Sequence, residues 1–433
     1  MSQSNFIIEL LKNEVRPAIG CTEPVAIALG TAYGAQLIGE KPTKITVLTN
    51  KAIYKNGMDV GIPGTEKTGL DVAGALGAAL SDPSKGLELL GEVTPEKKEI
   101  ADSYLKEIPI RVDIADTDKA VYIKVLIESK NHKAEVLIYD RHDQLIELSL
   151  DGKVLSTIHK DAVTEGLSDN NDEKEKFYRF KLEEIVETIE KIPAEKLHFL
   201  LEGLEMNKKA AQLGMEKRFG LGVGFNMYQN MKEGLISEDF ANLAFVLTAA
   251  ASDVRMSGER VSVMSSSGSG NNGLTAILPL VALQKVKSLD DATLARALAI
   301  SHTITSYVKY YIGRLSNLCG CSIAAAIGSG SAIAWVLGGK SAIAGTVNNI
   351  IANQAGVVCD GAKPGCSLKL GTAAMTAVQA ALLSLKGTII IDHNGLTDPC
   401  AEKSIENLAL LSSKGMKDVD ESIIDIMQNR RSY

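Results

Sequence analysis

The sequence predicts an α+β protein, with an N-terminal α+β domain built on a mixed or antiparallel sheet and a C-terminal, mostly α-helical domain rich in glycine and alanine. Three observations support this class. Segments with strand-like alternation lie between residues 45 and 150, helical spacing dominates from residue 182 onward, and the polar run 168–176 separates the two regions. Because 433 residues exceed what one hydrophobic core usually serves, we expect domains at residues 1–170 and 171–433.

The N-terminal domain is predicted to begin with two helices between residues 5 and 40, separated by a turn at Pro17-Ala18-Ile19-Gly20. Cys21 follows this turn at the start of the second helix, where the helix N-terminus favours a thiolate. A glycine-bearing loop at 56–65 and a helix from residue 69 come after the first strand. The five predicted strands span residues 45–50, 111–114, 120–127, 134–139 and 145–150.

The C-terminal domain is predicted to be a compact helical bundle, because its many small residues let helices approach closely. Its most apolar run, from Ser322 to Gly338, is interrupted by glycines and is shorter than the ~20 apolar residues that span a bilayer. We therefore interpret this run as a buried helix. The N-terminus lacks the basic and long apolar segments of a secretory signal, so we expect a cytoplasmic protein.

Composition narrows the classes of function. The net charge is -7 and the basic residues form no block, so we expect no nucleic-acid partner; with no membrane-spanning run predicted, we expect no membrane partner either. Six cysteines in a long intracellular chain favour metal binding or catalysis over a disulfide framework. Buried free thiols that pack as small apolar side chains remain an alternative.

The spacing of three cysteines points to a metal cluster. Cys319, Cys359 and Cys366 lie forty and then seven positions apart in a stretch rich in glycine, alanine and serine. Three thiolates can hold three irons of a [4Fe-4S] cluster and leave the fourth iron open to substrate. Cys321 lies so close to Cys319 that one of the two is expected to be a packing residue. Because no CxxC pair occurs, spacing alone supports a metal site and structural thiols equally.

Two glycine-bearing segments are candidates for substrate binding. The run from Ser265 to Gly273 precedes an apolar helix, and free N–H groups at a helix start bind anions. It lacks the lysine of a phosphate-binding loop, so a carboxylate site, a phosphate site and a tight turn all stay open. The loop 56–65 either forms a second wall of the site or simply connects a strand to a helix.

Together these segments resemble the L-cysteine desulfidase family, which is related to the iron–sulfur L-serine dehydratases. The resemblance covers nearly the whole chain and is carried by Gly20-Cys21-Thr22-Glu23-Pro24, residues 55–65, Gly268 to Gly273 and the three spaced cysteines. It implies a [4Fe-4S] cluster bound by Cys319, Cys359 and Cys366, and Cys21 as the proton acceptor. It also implies a small amino acid as substrate, and we expect a homo-oligomer.

The residues expected to contact this substrate lie mostly in the same segments. They are Asn56, Gly64, Thr65, Ser267, Gly268, Gly270, Asn271, Asn272, His302 and Arg314. A lone histidine on a helix, such as His302, is more often a structural residue, and Arg314 is close enough to the cysteines to balance the charge of a cluster or to pair with a carboxylate.

Local context predicts the positions of the remaining histidines and of one more cysteine. His132, His142, His159 and His198 lie in charged, surface-like segments, and His393 lies in a predicted turn. Cys400 can cap the open iron, as a cysteine near the C-terminus does in the serine dehydratase relatives, or it can be structural.

The chemistry expected of such a site is α,β-elimination. Breaking the Cβ–S bond of cysteine requires a base for the α-proton and an electrophile for the departing sulfide, and an open iron can act as that Lewis acid. We see no lysine–pyridoxal pattern that would serve instead. The alternatives are elimination of water from L-serine on the same fold, a cluster-bearing or thiol-based redox sensor without turnover, and a metal-free amino-acid-binding protein.

Overall fold

The architecture of the chain is α+β, as the sequence predicts. The computed structural model describes residues 2–157, 171–390 and 394–429, with a mixed sheet in the N-terminal half and a helical C-terminal part. The predicted domain boundary at residue 170 lies outside the described residues, as do His159 and His393.

The N-terminal half alternates helices with strands, and all five predicted strands are confirmed. The sequence did not predict the last short strand, whose Val154 and Leu155 are exposed. The elements in chain order are α1 (Gln3–Glu14), β1 (Pro17–Ile19), α2 (Thr22–Ile38), β2 (Lys44–Thr49), α3 (Lys51–Gly57), α4 (Leu70–Leu80), a 3₁₀-helix (Pro83–Glu92), α5 (Pro95–Glu107), β3 (Ile110–Ile114), β4 (Tyr122–Glu128), β5 (Lys133–Tyr139), β6 (Leu145–Leu150) and β7 (Lys153–Thr157).

Six of these strands form one sheet in the order β3-β2-β4-β5-β6-β7, in which β2 and β3 are parallel and the other neighbours antiparallel. Alternate side chains of β4 are buried, as expected for a strand with one face on the core. Helix α2 covers this face. The helix lies very close to the sheet at two of its glycines. A Cβ on Gly30 would come within 2.9 Å of Val125, and a Cβ on Gly34 would come within 2.5 Å of Ile127.

The C-terminal part is a helical bundle with one short strand. Its elements are α6 (Asn171–Phe177), α7 (Leu182–Glu190), α8 (Leu200–Glu216), α9 (Val223–Lys232), α10 (Phe240–Met256), β8 (Ser262–Met264), α11 (Gly270–Val286), α12 (Asp291–Ile312), α13 (Ala324–Gly338), α14 (Ile343–Gln354), α15 (Cys366–Leu385), α16 (Ala401–Leu410) and α17 (Val419–Gln428). Two short 3₁₀-helices and a π-helical turn complete it, at Ala194–Lys196, Lys340–Ala342 and Leu411–Gly415.

The apolar run of the bundle is helix α13, and its buried first three turns confirm the sequence interpretation. Among the described helices, α15 is long and apolar enough to cross a membrane by length and composition, and half of its most apolar window is buried inside the protein. Helix α15 packs against α10 and α13, and these contacts account for its buried apolar residues.

The start of the chain is joined to the helical bundle. Phe6, Ile7 and Leu10 of α1 belong to the same apolar core as the bundle, whereas α2 shares a separate core with the sheet. The predicted turn at Pro17–Ile19 is instead strand β1, which pairs antiparallel with β8. No local pattern predicts this strand, because its partner lies about 245 residues away, with Pro17 opposite Met264. The pairing sets the residues after β1 beside the start of α11.

The predicted loop at 56–65 is only partly a loop. Helix α3 extends to Gly57, so Asn56 lies in its last turn, where both residues are buried. The chain then bends through an antiparallel bridge between Gly61 and Thr68 before α4 begins. The prediction was wrong for the first two residues, because the N-cap Asn50 starts a helix by accepting a hydrogen bond from the Ile53 amide.

Candidate active site

One cavity between the N-terminal elements and the helical bundle brings most of the predicted site residues together. Segments from α2, α3, α11, the end of α12 and the loop before α15 form its walls. The predicted residues that line it are Cys21, Asn56, Ser267, Gly268, Asn271, Asn272, Arg314, Cys319, Cys359 and Cys366. Cys321 also lines this cavity, whereas Cys400 is exposed at the N-cap of α16 and does not.

Four predicted residues lie outside this cavity. Gly64 and Thr65 line a separate groove, where the Arg260 guanidinium packs so closely that a Cβ on Gly64 would come within 2.4 Å of it. Gly270 is the first residue of α11 and packs against the guanidinium of Arg255. His302 is buried behind the cavity, with Nδ1 2.9 Å from the Ser266 hydroxyl, so it supports the serine run from inside the bundle.

Cys21 occupies the N-cap position of α2 and is only 4% exposed. Its thiol donates a hydrogen bond to Glu23 Oε2 at 2.8 Å. Burial raises the pKa of this thiol, the Glu23 charge raises it further, and the lowering effect of Arg255 is too small to compensate. The expectation that the helix start favours a thiolate does not agree with this environment, because burial and the Glu23 carboxylate together raise the pKa of Cys21.

Glu23 is a buried carboxylate with several partners. Its Oε1 accepts a hydrogen bond from Asn56 at 3.0 Å, and its Oε2 also accepts one from Thr22 at 3.1 Å. Burial acts to raise its pKa, but His142 and the hydrogen bonds from Cys21 and Asn56 outweigh burial, so the pKa is lowered. Glu23 is thus a carboxylate at neutral pH, beside a thiol that holds a proton.

His142 shows what the sequence analysis missed on this side. It lies between β5 and β6 within Arg141-His142-Asp143, a charged run that suggested a surface position, yet it is 5% exposed and lines the cavity. Burial lowers its pKa, opposed by the Glu23 charge. His142 reaches the site because the sheet packs against α2, and this long-range contact is not visible in the local sequence.

Two of the three spaced cysteines become neighbours through a backbone pairing. Leu318 and Val358 form an antiparallel bridge, in which the Cys319 amide donates to Val357 at 2.9 Å and the Cys359 amide donates to Asn317 at 2.8 Å. These two backbone hydrogen bonds therefore bring Cys319 and Cys359 together, although forty positions separate them in the sequence. Cys366 enters the same cavity as the first residue of α15.

The protonation of these thiols is set by one another and by lysines. Hydrogen bonds from Cys321 and Ser322 lower the pKa of Cys319 against the effect of burial, and the pKa of Cys321 is raised in return. Burial raises the pKa of Cys359 and raises that of Cys366 to about 12. Of these four thiols, Cys319 is the one whose pKa is lowered.

Three buried or half-buried lysines surround the cysteine loops, and the sequence analysis proposed none of them. Lys55 is 1% exposed and donates to the Cys359 carbonyl at 2.8 Å, and Lys369 donates to the Val358 carbonyl at 2.9 Å. Lys309 lies against Gly320, where an added Cβ would be 3.1 Å from its Nζ. Burial lowers the pKa of Lys309 to about 8, although the nearby thiols oppose this effect. These cations make the cysteine wall suited to anionic sulfur.

Within residues 2–157, 171–390 and 394–429, no three His, Cys, Asp or Glu side chains are arranged to hold a single metal ion. The cysteines line the cavity from separate segments of the chain. A mononuclear zinc site of the tetrahedral kind therefore has no support among these residues.

Sequence comparison defines the family. The profile of the serine dehydratase alpha chain family matches residues 84–425. The chain belongs to the serine dehydratase alpha chain family. Membership of this family makes the protein a lyase-type enzyme and confirms the serine dehydratase-like part of the resemblance. Cys21, Glu23 and Asn56 precede the matched residues.

Curated relatives of this serine dehydratase-like chain extend the match to nearly its full length. A UPF0597 protein of Alkaliphilus oremlandii is 44% identical over 99% of both chains. One of Alkaliphilus metalliredigens is 45% identical over 98% of this chain and 94% of the relative. One of Clostridioides difficile is 43% identical over 98% of this chain and 99% of the relative. These names carry no substrate, so the choice between cysteine and serine rests on other grounds.

Proposed function

We propose that the protein is an iron–sulfur-dependent L-cysteine desulfidase, which converts L-cysteine and water to hydrogen sulfide, pyruvate and ammonia. The observation that carries the proposal is the shared cavity, in which the hydrogen-bonded pair Cys21 and Glu23 faces Cys319, Cys359 and Cys366. Family membership supports elimination from a small amino acid. The motif resemblance supports cysteine as that amino acid.

The three cysteines fit a [4Fe-4S] cluster by their chemistry. Thiolates are the ligands that such clusters require, and each binds a different iron, so the three sulfurs need not converge on one point. Lys309 and Lys369 line the same cavity and can offset the negative charge of the bound thiolates. When bound, the cluster supplies a Lewis acid at the iron that lacks a cysteine ligand.

Cys21 and Glu23 provide a route for the α-proton. In the proposed reaction the Cys21 sulfur accepts the proton from Cα while its own proton moves across the 2.8 Å hydrogen bond to Glu23 Oε2. The electron pair from the Cα–H bond forms the Cα=Cβ double bond, and the Cβ–S pair leaves with sulfur. The 2-aminoacrylate tautomerises to an imine, which water hydrolyses to pyruvate and ammonia.

The start of α11 is proposed to hold the substrate. Asn271 and Asn272 lie in its first turn, where backbone N–H groups have no partner in the preceding turn and the helix dipole favours an anion. Ser267 and Gly268 line the cavity just before this helix. We propose a free amino acid as the only small-molecule partner, no nucleic-acid or membrane partner, and a homo-oligomeric assembly.

The proposal is tested by purifying the chain without oxygen, reconstituting it with iron and sulfide, and measuring products from L-cysteine and from L-serine. We expect a brown protein that forms sulfide, pyruvate and ammonia in equal amounts from L-cysteine. Protein treated with an iron chelator serves as the control and should be inactive. A colourless, iron-free preparation that retains activity would contradict the mechanism.

A second candidate function is L-serine dehydratase, which the family match favours directly. The same assay separates the two, because L-serine yields pyruvate and ammonia without sulfide. A kcat/KM for L-serine above that for L-cysteine would assign the protein to the second function. Iron-loaded protein that turns over neither amino acid would instead favour the redox-sensor alternative.

A further inference from the structure

One buried arginine joins the two segments on which the proposed chemistry depends. Arg255 lies in the last turn of α10, is 2% exposed and lines the cavity. Its Nη2 donates to the Gly20 carbonyl at 2.6 Å, and its Nη1 donates to Asn271 Oδ1 at 2.9 Å. One rigid guanidinium thus connects the turn before Cys21 to the first turn of α11.

Gly20 and Gly270 make room for the Arg255 guanidinium and its two hydrogen bonds. Gly20 has a φ of +69°, which favours glycine, and a Cβ there would lie 2.4 Å from Pro63. A Cβ on Gly270 would lie 2.4 Å from Arg255 Nε. The guanidinium therefore packs directly on the backbone of α11, and neither glycine could gain a side chain without moving one of the connected segments.

The hydrogen bond from Arg255 also fixes the orientation of the Asn271 amide. An arginine only donates, so Asn271 must turn its oxygen toward Arg255 and its NH2 group away. Among the described residues, that NH2 group has a hydrogen bond only to the Met256 thioether, at 3.5 Å, which is a weak acceptor. Because Asn271 lines the cavity and its NH2 group has only this weak acceptor, that group is suited to donate a hydrogen bond to a substrate carboxylate.

We propose that Arg255 is a positioning residue, which holds Cys21 at a set distance from Asn271 and turns the Asn271 amide so that it donates to the α-carboxylate of the substrate. This inference rests on the proposed function and deepens it, because it restricts the substrate to amino acids with a free carboxylate. Arg255 also places a positive charge near Cys21, which acts to lower the pKa of that thiol.

The geometry predicts that lysine cannot replace this arginine. The two acceptors, Gly20 O and Asn271 Oδ1, are reached by different nitrogens of one planar group, whereas an ammonium is a single point at the end of a flexible chain. Arg255→Lys should keep the positive charge and lose one of the two hydrogen bonds, to Gly20 O or to Asn271 Oδ1. Misplacement of a reacting group by about 1 Å can reduce the rate about 100-fold.

The test compares wild type with Arg255→Lys and Arg255→Ala in the reconstituted enzyme. Iron content is measured for each protein, and kcat and KM are measured for L-cysteine and for its methyl ester, which lacks the carboxylate charge. L-serine and its methyl ester are assayed in parallel. Arg260→Ala is the matched control, because Arg260 lines the separate groove beside Gly64. We expect both Arg255 variants to keep their iron and to lose about 100-fold in kcat/KM for the free amino acid. The preference for the acid over the ester should shrink, and millimolar guanidinium should partly restore Arg255→Ala.

Each contrary outcome has a distinct meaning. Arg255→Lys with activity and acid preference within threefold of wild type would overturn this inference while leaving the proposed function in place. Loss of iron from Arg255→Lys would also overturn it, because the arginine would then support the cluster loops rather than position substrate groups. A reconstituted wild type that acts on neither amino acid would remove the proposed function and, with it, this inference.

Discussion

The two walls of the cavity place opposite charges beside their thiols. On the N-terminal wall, Cys21 donates a hydrogen bond to a carboxylate, and both burial and that charge keep the proton on sulfur. On the helical wall, Cys366 is buried and Cys359 is partly buried, and lysine amines bind the backbone beside Cys359. Burial raises the pKa of the thiols on both walls, but the Glu23 charge raises that of Cys21 further, whereas lysine charges act to lower those of Cys359 and Cys366.

We propose that this difference gives each cysteine a separate task. A thiol that keeps its proton beside a carboxylate is suited to exchanging protons, and a thiol beside cations is suited to holding metal. Cys321 is intermediate, because it lines the cavity and its hydrogen bond with Cys319 raises its own pKa. The contrast can be tested by removing one group at a time from each wall.

The largest effect is expected on the helical wall. Cys359→Ser should prevent stable assembly of the cluster, because a hydroxyl is a poor ligand for iron in such clusters. We expect iron content to fall sharply after gel filtration and turnover to fall to background. Cys400→Ser is the control, since Cys400 is exposed outside the cavity, and it should match wild type in both measurements. Full iron loading of Cys359→Ser would remove this cysteine from the ligand set.

On the opposite wall, Cys21→Ser should separate catalysis from cluster binding. The variant is expected to keep the iron content and visible spectrum of wild type, while kcat falls about 10²–10⁴-fold as for loss of a general base. Anaerobic absorption spectra and product formation from L-cysteine give the two readouts. If the spectrum changes together with the activity, Cys21 binds the cluster and the division between the walls does not hold.

Local sequence pattern was enough to predict the frame of the molecule. The strands of the sheet were predicted because alternation with period two is visible within each segment, and β4 and β5 show it over seven residues each. The start of α11 was predicted from the glycine-rich run before it. Cys21 was placed correctly at a helix start, since Pro24 and the apolar spacing of α2 are local signals.

Long-range pairings determine what the sequence could not predict. Strand β1 exists because β8 pairs with it, and Cys319 lies beside Cys359 because Leu318 pairs with Val358. The charge environment of the cavity follows from those contacts. Lys55 and His142 are ordinary charged or polar residues in sequence, and only their burial against distant segments gives them a place in the site.

A smaller effect is expected when the carboxylate beside Cys21 is neutralised. Glu23→Gln should lower kcat by about 100-fold, because the proton of Cys21 loses its acceptor, and iron content should not change. Since the Glu23 charge raises the pKa of Cys21, its removal should lower that pKa and increase the thiolate fraction at a given pH.

Alkylation of Cys21 by iodoacetamide, followed by mass spectrometry, measures this change in thiolate fraction. The rate at pH 8 should increase in Glu23→Gln, even though turnover decreases. Glu9→Gln on α1 is the control, because Glu9 pairs with the half-exposed Lys12 on the protein surface. Slower or unchanged alkylation in Glu23→Gln would show that burial, and not the carboxylate, holds the proton on Cys21.

The smallest effect is expected where the C-terminal helix supports the cysteine wall from behind. Lys55, which donates to the Cys359 carbonyl, also pairs with Asp420 on α17. Asp420→Asn keeps a hydrogen-bond acceptor but removes the charge, so we expect a loss of about 1 kcal/mol in unfolding free energy and faster release of iron to a chelator, with kcat unchanged.

The adjacent residue provides a matched control for this last change. Glu421 pairs with Lys51, but both side chains are more than half exposed, so Glu421→Gln should alter neither stability nor iron release. The two variants remove the same charge from the same helix and differ only in which lysine loses its partner. Equal iron release from both would show that α17 stabilises the fold without acting on the Cys359 loop, and the helical wall would then depend on Lys309 and Lys369 alone.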